Sequence, residues 1–325
     1  MTSRSPSKPS LLRSALAHRT VVADGAMGTM LQAADPTLED FQNHEGCNEI
    51  LNVTRPDLVR SVHDAYLSVG VDAIETNTFG ANWANLAEYG IEERIYELAF
   101  AGGKIAREAA DSFSTPEKPR FVLGSLGPGT KLPSLGHTTY QKLKDAYYTA
   151  SKGLVDSGCD ALLVETTQDL LQAKAAVNGA RQAITESARD VVLIAQVTVE
   201  TTGTMLLGSE IGAALNALEP LNIDLIGLNC ATGPTEMSEH LRYLSKNSHT
   251  AISVMPNAGL PILGPKGAEY PLGPEELATA LETFVNEYGI TLIGGCCGTT
   301  PAHLEAVVKR LNGHAVKERT IEIEP

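Results

Sequence analysis

The stretch TLIGGCCGTTP, residues 291–301, carries a complete structural unit. Thr291, Leu292 and Ile293 make a short run without polar alternation, which reads as a strand covered on both faces. The glycine-flanked turn that follows carries two adjacent thiols, Cys296 and Cys297. Thr300 then stands as an N-cap and Pro301 at the first helical position, ahead of an apolar stripe of Leu304, Val307, Val308 and Leu311. Strand, polar turn and helix in that order form the repeating unit of a parallel α/β sheet.

The unit recurs along the chain. Short apolar runs at residues 21–23, 73–78, 121–126, 161–166, 191–199, 225–230, 252–256 and 291–295 give eight candidate strands. Helical periodicity lies between them, as in Val59, Val62, Tyr66 and Val69, or Leu170, Ala173, Val177, Ala180 and Ile184. Eight strands that lack polar alternation and alternate with helices predict a single (β/α)8 TIM barrel, its site at the C-terminal ends of the strands. The expected layout is a flexible N-terminal segment at 1–18, a barrel at 19–313, and a tail or start of a linker at 314–325.

Polar residues gather where the runs end: Asp24, Glu75 to Thr78, Ser125, Glu165, Asn229 with Cys230, Asn257, and the Cys296–Cys297 pair. Asp, Asn, Ser and Thr often serve there as caps and turn formers, but that habit does not explain three of the five cysteines on one rim. Cys47 and Cys159 do not close strands in this way and read as small buried hydrophobes. The run GGCCG is a poor phosphate cradle, because the next Lys or Arg is Lys309. A vicinal disulfide would impose a strained local geometry. Three thiolates brought to one pocket suit a zinc ion with its fourth position open.

Such an ion is too electron-rich to activate water well and is better suited to one more thiolate, whose proton it removes. Asp24 and Glu165 are carboxylates able to hold an ammonium group, and the amides of DGAMG, residues 24–28, can take a carboxylate. The residues therefore point to alkyl transfer onto a thiol amino acid. A net charge of −14 argues against nucleic acid or an anionic membrane as partner. No run of about 18 apolar residues exists to span a bilayer, and the Ser/Pro-rich start lacks a signal core, so a cytoplasmic protein is expected. Five cysteines in so long a chain make no disulfide framework.

Seven stretches resemble one family, the homocysteine-binding zinc methyltransferases, and its cobalamin-dependent methionine synthase branch in particular. They are DGAMGTMLQ (24–32), GCNEILNVTRPDLV (46–59), ETNTFGAN (75–82), LLVETTQD (162–169), IGLNCATGP (226–234), MPNAGLP (255–261) and GGCCGTTP (294–301). The resemblance implies that Cys230, Cys296 and Cys297 ligate zinc and that homocysteine sulfur supplies the fourth ligand. It implies that Asn257 occupies the open position when substrate is absent, and that Asp24 and Glu165 hold the ammonium. It further places Gly25 and Ala26 at the substrate carboxylate, with Asn229, Thr76 and Thr78 lining the pocket. The implied product is methionine and the implied donor methylcobalamin.

No DxHxxG signature for binding cobalamin occurs, and the sequence stops at Pro325, shortly after the last barrel helix. The expectation is a module or split subunit whose methylcobalamin is held by a partner, with corrinoid- and folate-binding modules or subunits nearby. Two alternatives stay open: a self-sufficient homocysteine methyltransferase using S-methylmethionine, S-adenosylmethionine or betaine, and a non-catalytic zinc and homocysteine-binding module.

Overall fold

A computed structural model of the chain describes residues 10–264 and 267–322. The described residues form ten strands: β1 (Val21–Val22), β2 (Ala73–Glu75), β3 (Phe121–Leu126), β4 (Ala161–Thr167), β5 (Val192–Val197), β6 (Leu225–Asn229), β7 (Ala251–Met255), β8 (Ile262–Gly264), β9 (Gly267–Glu269) and β10 (Leu292–Ile293). Eight of them form one parallel sheet in the order β1-β10-β7-β6-β5-β4-β3-β2, with a helical crossover between barrel strands that follow one another along the chain. The sheet curls until its two edges meet. There Asp72 N–H donates to Val22 O at 2.7 Å, and Val22 N–H donates to the Asp72 carboxylate at 3.0 Å. This is the (β/α)8 barrel that the sequence predicts.

Two apolar clusters record the alternation of side chains along each strand. Val21, Ala73, Phe121, Leu123, Leu163 and Ile194 belong to a cluster inside the barrel. Val22, Ile74, Val122, Leu162 and Leu193 point outward into a larger cluster shared with the helices. Burying apolar side chains on both faces contributes about 25 cal/mol per Å² removed from water, which is why these strands carry no polar alternation.

Three segments differ from expectation. Residues 1–9 lie outside the described part, but Leu11–His18 is a helix rather than a flexible lead-in. Its Leu12 and Leu16 join the inner cluster and close the floor of the barrel, and Arg13 pairs with Asp190 and Asp224 at 3.0 and 2.6 Å. The tail also docks: Ala315 bridges Arg19, and Arg319 donates to the carbonyls of Leu244, Ser248 and Thr250. Between β7 and the following helix the chain makes an antiparallel hairpin, β8 with β9, which its Gly- and Pro-rich sequence does not suggest. Among the described residues no helix is long and apolar enough to cross a membrane.

Candidate functional site

β7 lies between β6 and β10, so the turns leaving β6 and β10 meet over its end. Cys230 N–H donates to Met255 O at 3.2 Å, Cys296 N–H to Pro256 O at 2.8 Å, and Cys297 N–H to Asn257 Oδ1 at 3.1 Å. The last residue of β7 and the two that follow it thus hold all three cysteines. Their sulfurs lie within 4.8 Å of one another, and Cys230 Sγ is 3.8 Å from Cys297 Sγ. Ligand sulfurs on a tetrahedral ion with bonds of about 2.3 Å are about 3.8 Å apart, so the group is already spaced to hold a metal. Reaching this arrangement puts Cys230 and Ala231 at φ 60° and 58°, left-handed conformations that cost roughly 1 kcal/mol or more each.

The three thiols share hydrogen bonds with one another. Hydrogen bonds from Cys230 and Cys296 hold Cys297 at about 3, far below an ordinary thiol. Donating to Cys230 and Cys297 pushes Cys296 well above the usual range, and burial adds to the effect. Cys47 and Cys159 behave differently: both are buried, and burial pushes each thiol up to about 12, as inert structural cysteines require.

Thr299 joins the cysteine turn to the DGAMG turn. Its Oγ1 donates to Cys296 O at 2.7 Å and accepts Ala26 N–H at 3.2 Å. A methyl group on Gly25 or Gly295 would land on that hydroxyl, so both turns need glycine at the crossing. The Tyr66 hydroxyl reaches the carbonyls of Ala26 and Thr299 at 3.0 and 3.1 Å and clamps the junction from behind.

A cavity of about 310 Å³ opens beside the cysteines. Its wall includes Gly25, Ala26, Glu75, Thr76, Glu165, Asn229 and the three cysteines, and among the described residues no Lys, Arg or His. Glu165 is held by Ser125 Oγ at 2.5 Å and by Asn229 Nδ2 at 3.1 Å. Burial pushes its carboxyl up to about 7, against the pull of Ser125 and with help from the nearby Cys297. Burial also raises Glu75 and Asp24 well above the usual carboxylate range, and neighbouring acids add to the effect. A pocket with this balance favours a cationic group.

The residues singled out by sequence divide into a lining and a support. Gly25, Ala26, Glu165, Asn229, Thr76 and the cysteines line the cavity. The Ala26 N–H is already engaged by Thr299, whereas Gly25 N–H has no acceptor among the described residues. Asp24 is buried outside the lining, its two carboxylate oxygens each 3.1 Å from the N–H of Glu75. Thr78 also stands behind the wall, donating to Ser125 O at 2.7 Å while contacting Thr76 Oγ1 at 2.6 Å. Asn257 serves through its bond to Cys297 N–H. Two lining carboxylates, Glu75 and Glu49, were not among the expected site residues. Alternation marks the first, since Ala73 faces the barrel interior, Ile74 faces out, and Glu75 returns inward. Glu49 belongs to a latch between two motifs: it accepts Gly80 N–H at 2.7 Å, while Asn52 Nδ2 donates to Asn77 O at 2.8 Å.

Comparison with known proteins agrees with this geometry. The family model described as homocysteine S-methyltransferase matches residues 21–311. Methionine synthase of Mycobacterium tuberculosis is 60% identical over 95% of the chain, and that of Mycobacterium leprae 59% identical over 95%. The chain spans 26% of the length of each. Among solved structures, the metallated form of the homocysteine methyltransferase MmuM from Escherichia coli shares the fold, with a TM-score of 0.72 at 23% identity, covering 90% of this chain and 96% of that one. The barrel, its cysteine-bearing strand ends and a match that runs from the first barrel strand to the last helix place this chain in the homocysteine S-methyltransferase family.

Proposed function

We propose that this chain binds homocysteine, holds its sulfur at a zinc ion carried by Cys230, Cys296 and Cys297, and presents that sulfur for methylation to methionine. The observation that carries the proposal is the sulfur spacing, since three soft thiols within 4.8 Å of one another, one pair at 3.8 Å, converge as the ligands of one zinc ion would. The chemistry zinc supplies in such a site is to hold an incoming thiol as thiolate at neutral pH. The protein's own groups do the rest. Glu165, fixed by Ser125 and Asn229, offers its carboxylate to the ammonium side of the pocket, and Gly25 N–H faces the carboxylate side. The sulfur lone pair forms the new bond to the methyl group, the donor's bond to methyl breaks with its electron pair staying on the donor, and the thiol proton leaves to solvent.

Methylcobalamin held by another module or subunit is the donor most consistent with the methionine synthase relatives, of which this chain spans 26%. Corrinoid- and folate-binding modules are then its partners. A cytoplasmic setting follows from the chemistry, because three free thiols stay competent for metal in a reducing compartment.

The test uses the zinc-loaded chain with homocysteine and, in turn, methylcobalamin, S-methylmethionine, S-adenosylmethionine and betaine, with methionine as the readout. Formation from methylcobalamin is expected. Cys230→Ser, Cys296→Ser and Cys297→Ser should each drop bound zinc and methionine formation together, and zinc should also leave in acid as protons compete for sulfur. Turnover that persists in metal-free protein would defeat the proposal.

A further inference from the structure

The hairpin of β8 and β9 takes no part in the barrel sheet, and its own apolar side chains do not hold it down, since Ile262 is 53% exposed and Leu263 94%. It does return the chain to the cysteine turn. Tyr270, the residue after β9, lays its side chain on Gly298, next to Cys297, and a methyl group at Gly298 would collide with the Tyr270 ring. A closed set of hydrogen bonds fixes that contact. Cys297 O accepts from Ala258 N–H at 2.9 Å, and Ala258 O accepts from Leu272 N–H at 3.0 Å. Leu272 O in turn accepts from Nε2 of the buried His303 at 2.9 Å, and His303 Nδ1 accepts Thr300 N–H at 3.2 Å. The segment 270–272 is thus tied to the cysteine turn at both Cys297 and Thr300. From this seat the phenol meets the sulfurs. Burial raises it to about 12, together with the charge of Cys297, the hydrogen bond it gives to Cys297, and the charges of Cys230 and Cys296. The same bond adds to the contacts from Cys230 and Cys296 that keep the Cys297 thiol low.

A divalent ion on three thiolates is anionic, and a fourth thiolate makes it more so. The cavity beside it is lined by Glu75 and Glu165 and, among the described residues, by no Lys, Arg or His. A hydroxyl that donates to one of the sulfurs draws off part of that charge, as partners behind metal ligands do. We infer that Tyr270 is a positioning residue of the metal centre: its hydroxyl donates to Cys297 Sγ, tempers that thiolate and steadies the ion, and the hairpin delivers it there. The assignment rests on the reading of Cys230, Cys296 and Cys297 as metal ligands.

The experiment uses the cobalt(II)-loaded chain, whose sulfur-to-cobalt charge-transfer absorption reports on the thiolates directly. Tyr270→Phe keeps the ring on Gly298 and removes only the hydroxyl. A thiolate without that hydrogen bond gives up its electron more readily, so the band should move to longer wavelength in the variant. The cobalt dissociation constant, measured by competition with a chelator, should rise about 10- to 100-fold, the range for losing a partner of a metal ligand. A role in packing alone would leave the band in place. Tyr270→Leu, which also removes the ring, should show the same shift and a larger loss of affinity. A band at the wild-type wavelength in Tyr270→Phe would overturn the assignment alone, including the case in which only Tyr270→Leu weakens cobalt binding. No charge-transfer band from the wild-type chain would sink the three-cysteine metal reading and the assignment with it.

Discussion

The hydroxyl of Thr299 ties the cysteine turn to the DGAMG turn through Cys296 O and Ala26 N–H, and it fills the space left open by Gly25 and Gly295. Thr299→Val keeps the shape and removes both bonds, leaving the Ala26 amide and Cys296 carbonyl to find other partners. The expected cost is about 1–3 kcal/mol of stability, with weakened homocysteine binding and retained metal, measured by thermal unfolding, titration and metal content. Thr299→Ser should restore most of it. Unchanged homocysteine affinity in Thr299→Val would show that the knot does not shape the substrate side. At this scale the cysteines were legible because a thiol at a strand end has no routine structural job. The roles of Asp24 and Glu75 were not, since both are acids at strand ends. Which one faces the cavity depends on the register of β2 and on a backbone bond across the seam.

Elements were legible where apolar burial dictated them. Every barrel strand coincides with an expected run, because strands buried on both faces must be apolar and must stop where polar chemistry begins. The N-terminal helix escaped notice because LLRSALAH follows a Ser- and Pro-rich lead, and its two buried leucines find their partners only after the barrel has closed. Its contribution follows from that position. Leu12→Ala and Leu16→Ala each open a void at the barrel floor and should cost about 2–5 kcal/mol, whereas Leu11→Ala, on the exposed side, should cost little. Arg13→Ala should add a smaller loss by freeing Asp190 and Asp224. Chemical denaturation of the three leucine variants checks the pattern. Equal effects at Leu11 and Leu12 would mean that the helix does not plug the barrel in solution.

Across the whole molecule, two kinds of buried group oppose each other in their response to pH. Burial, set against the Ser125 bond, raises Glu165 from 4.5 to about 7, so the folded chain binds more protons than the unfolded one in that interval. Stability from this source is complete below about pH 4.5 and is lost as pH rises through about 7. His63 acts in the opposite sense. Burial, aided by the charge of Arg60, lowers it from 6.5 to about 3, and neither ring nitrogen has a partner among the described residues. Its share is complete above pH 6.5 and is lost as pH falls toward 3. Melting temperatures of the metal-free chain and of Glu165→Gln and His63→Leu, taken across pH 4–8, separate the two. The difference between Glu165→Gln and wild type should grow in the variant's favour from pH 4.5 to about 7 and then level off. That for His63→Leu should grow in the variant's favour as pH falls below 6.5. A ligand ammonium in the pocket should shrink the first difference and leave the second alone, because it neutralises the acids that line the cavity and does not touch the helix that carries His63. Offsets that stay constant with pH in both variants would show that these groups titrate alike in the folded and unfolded chain.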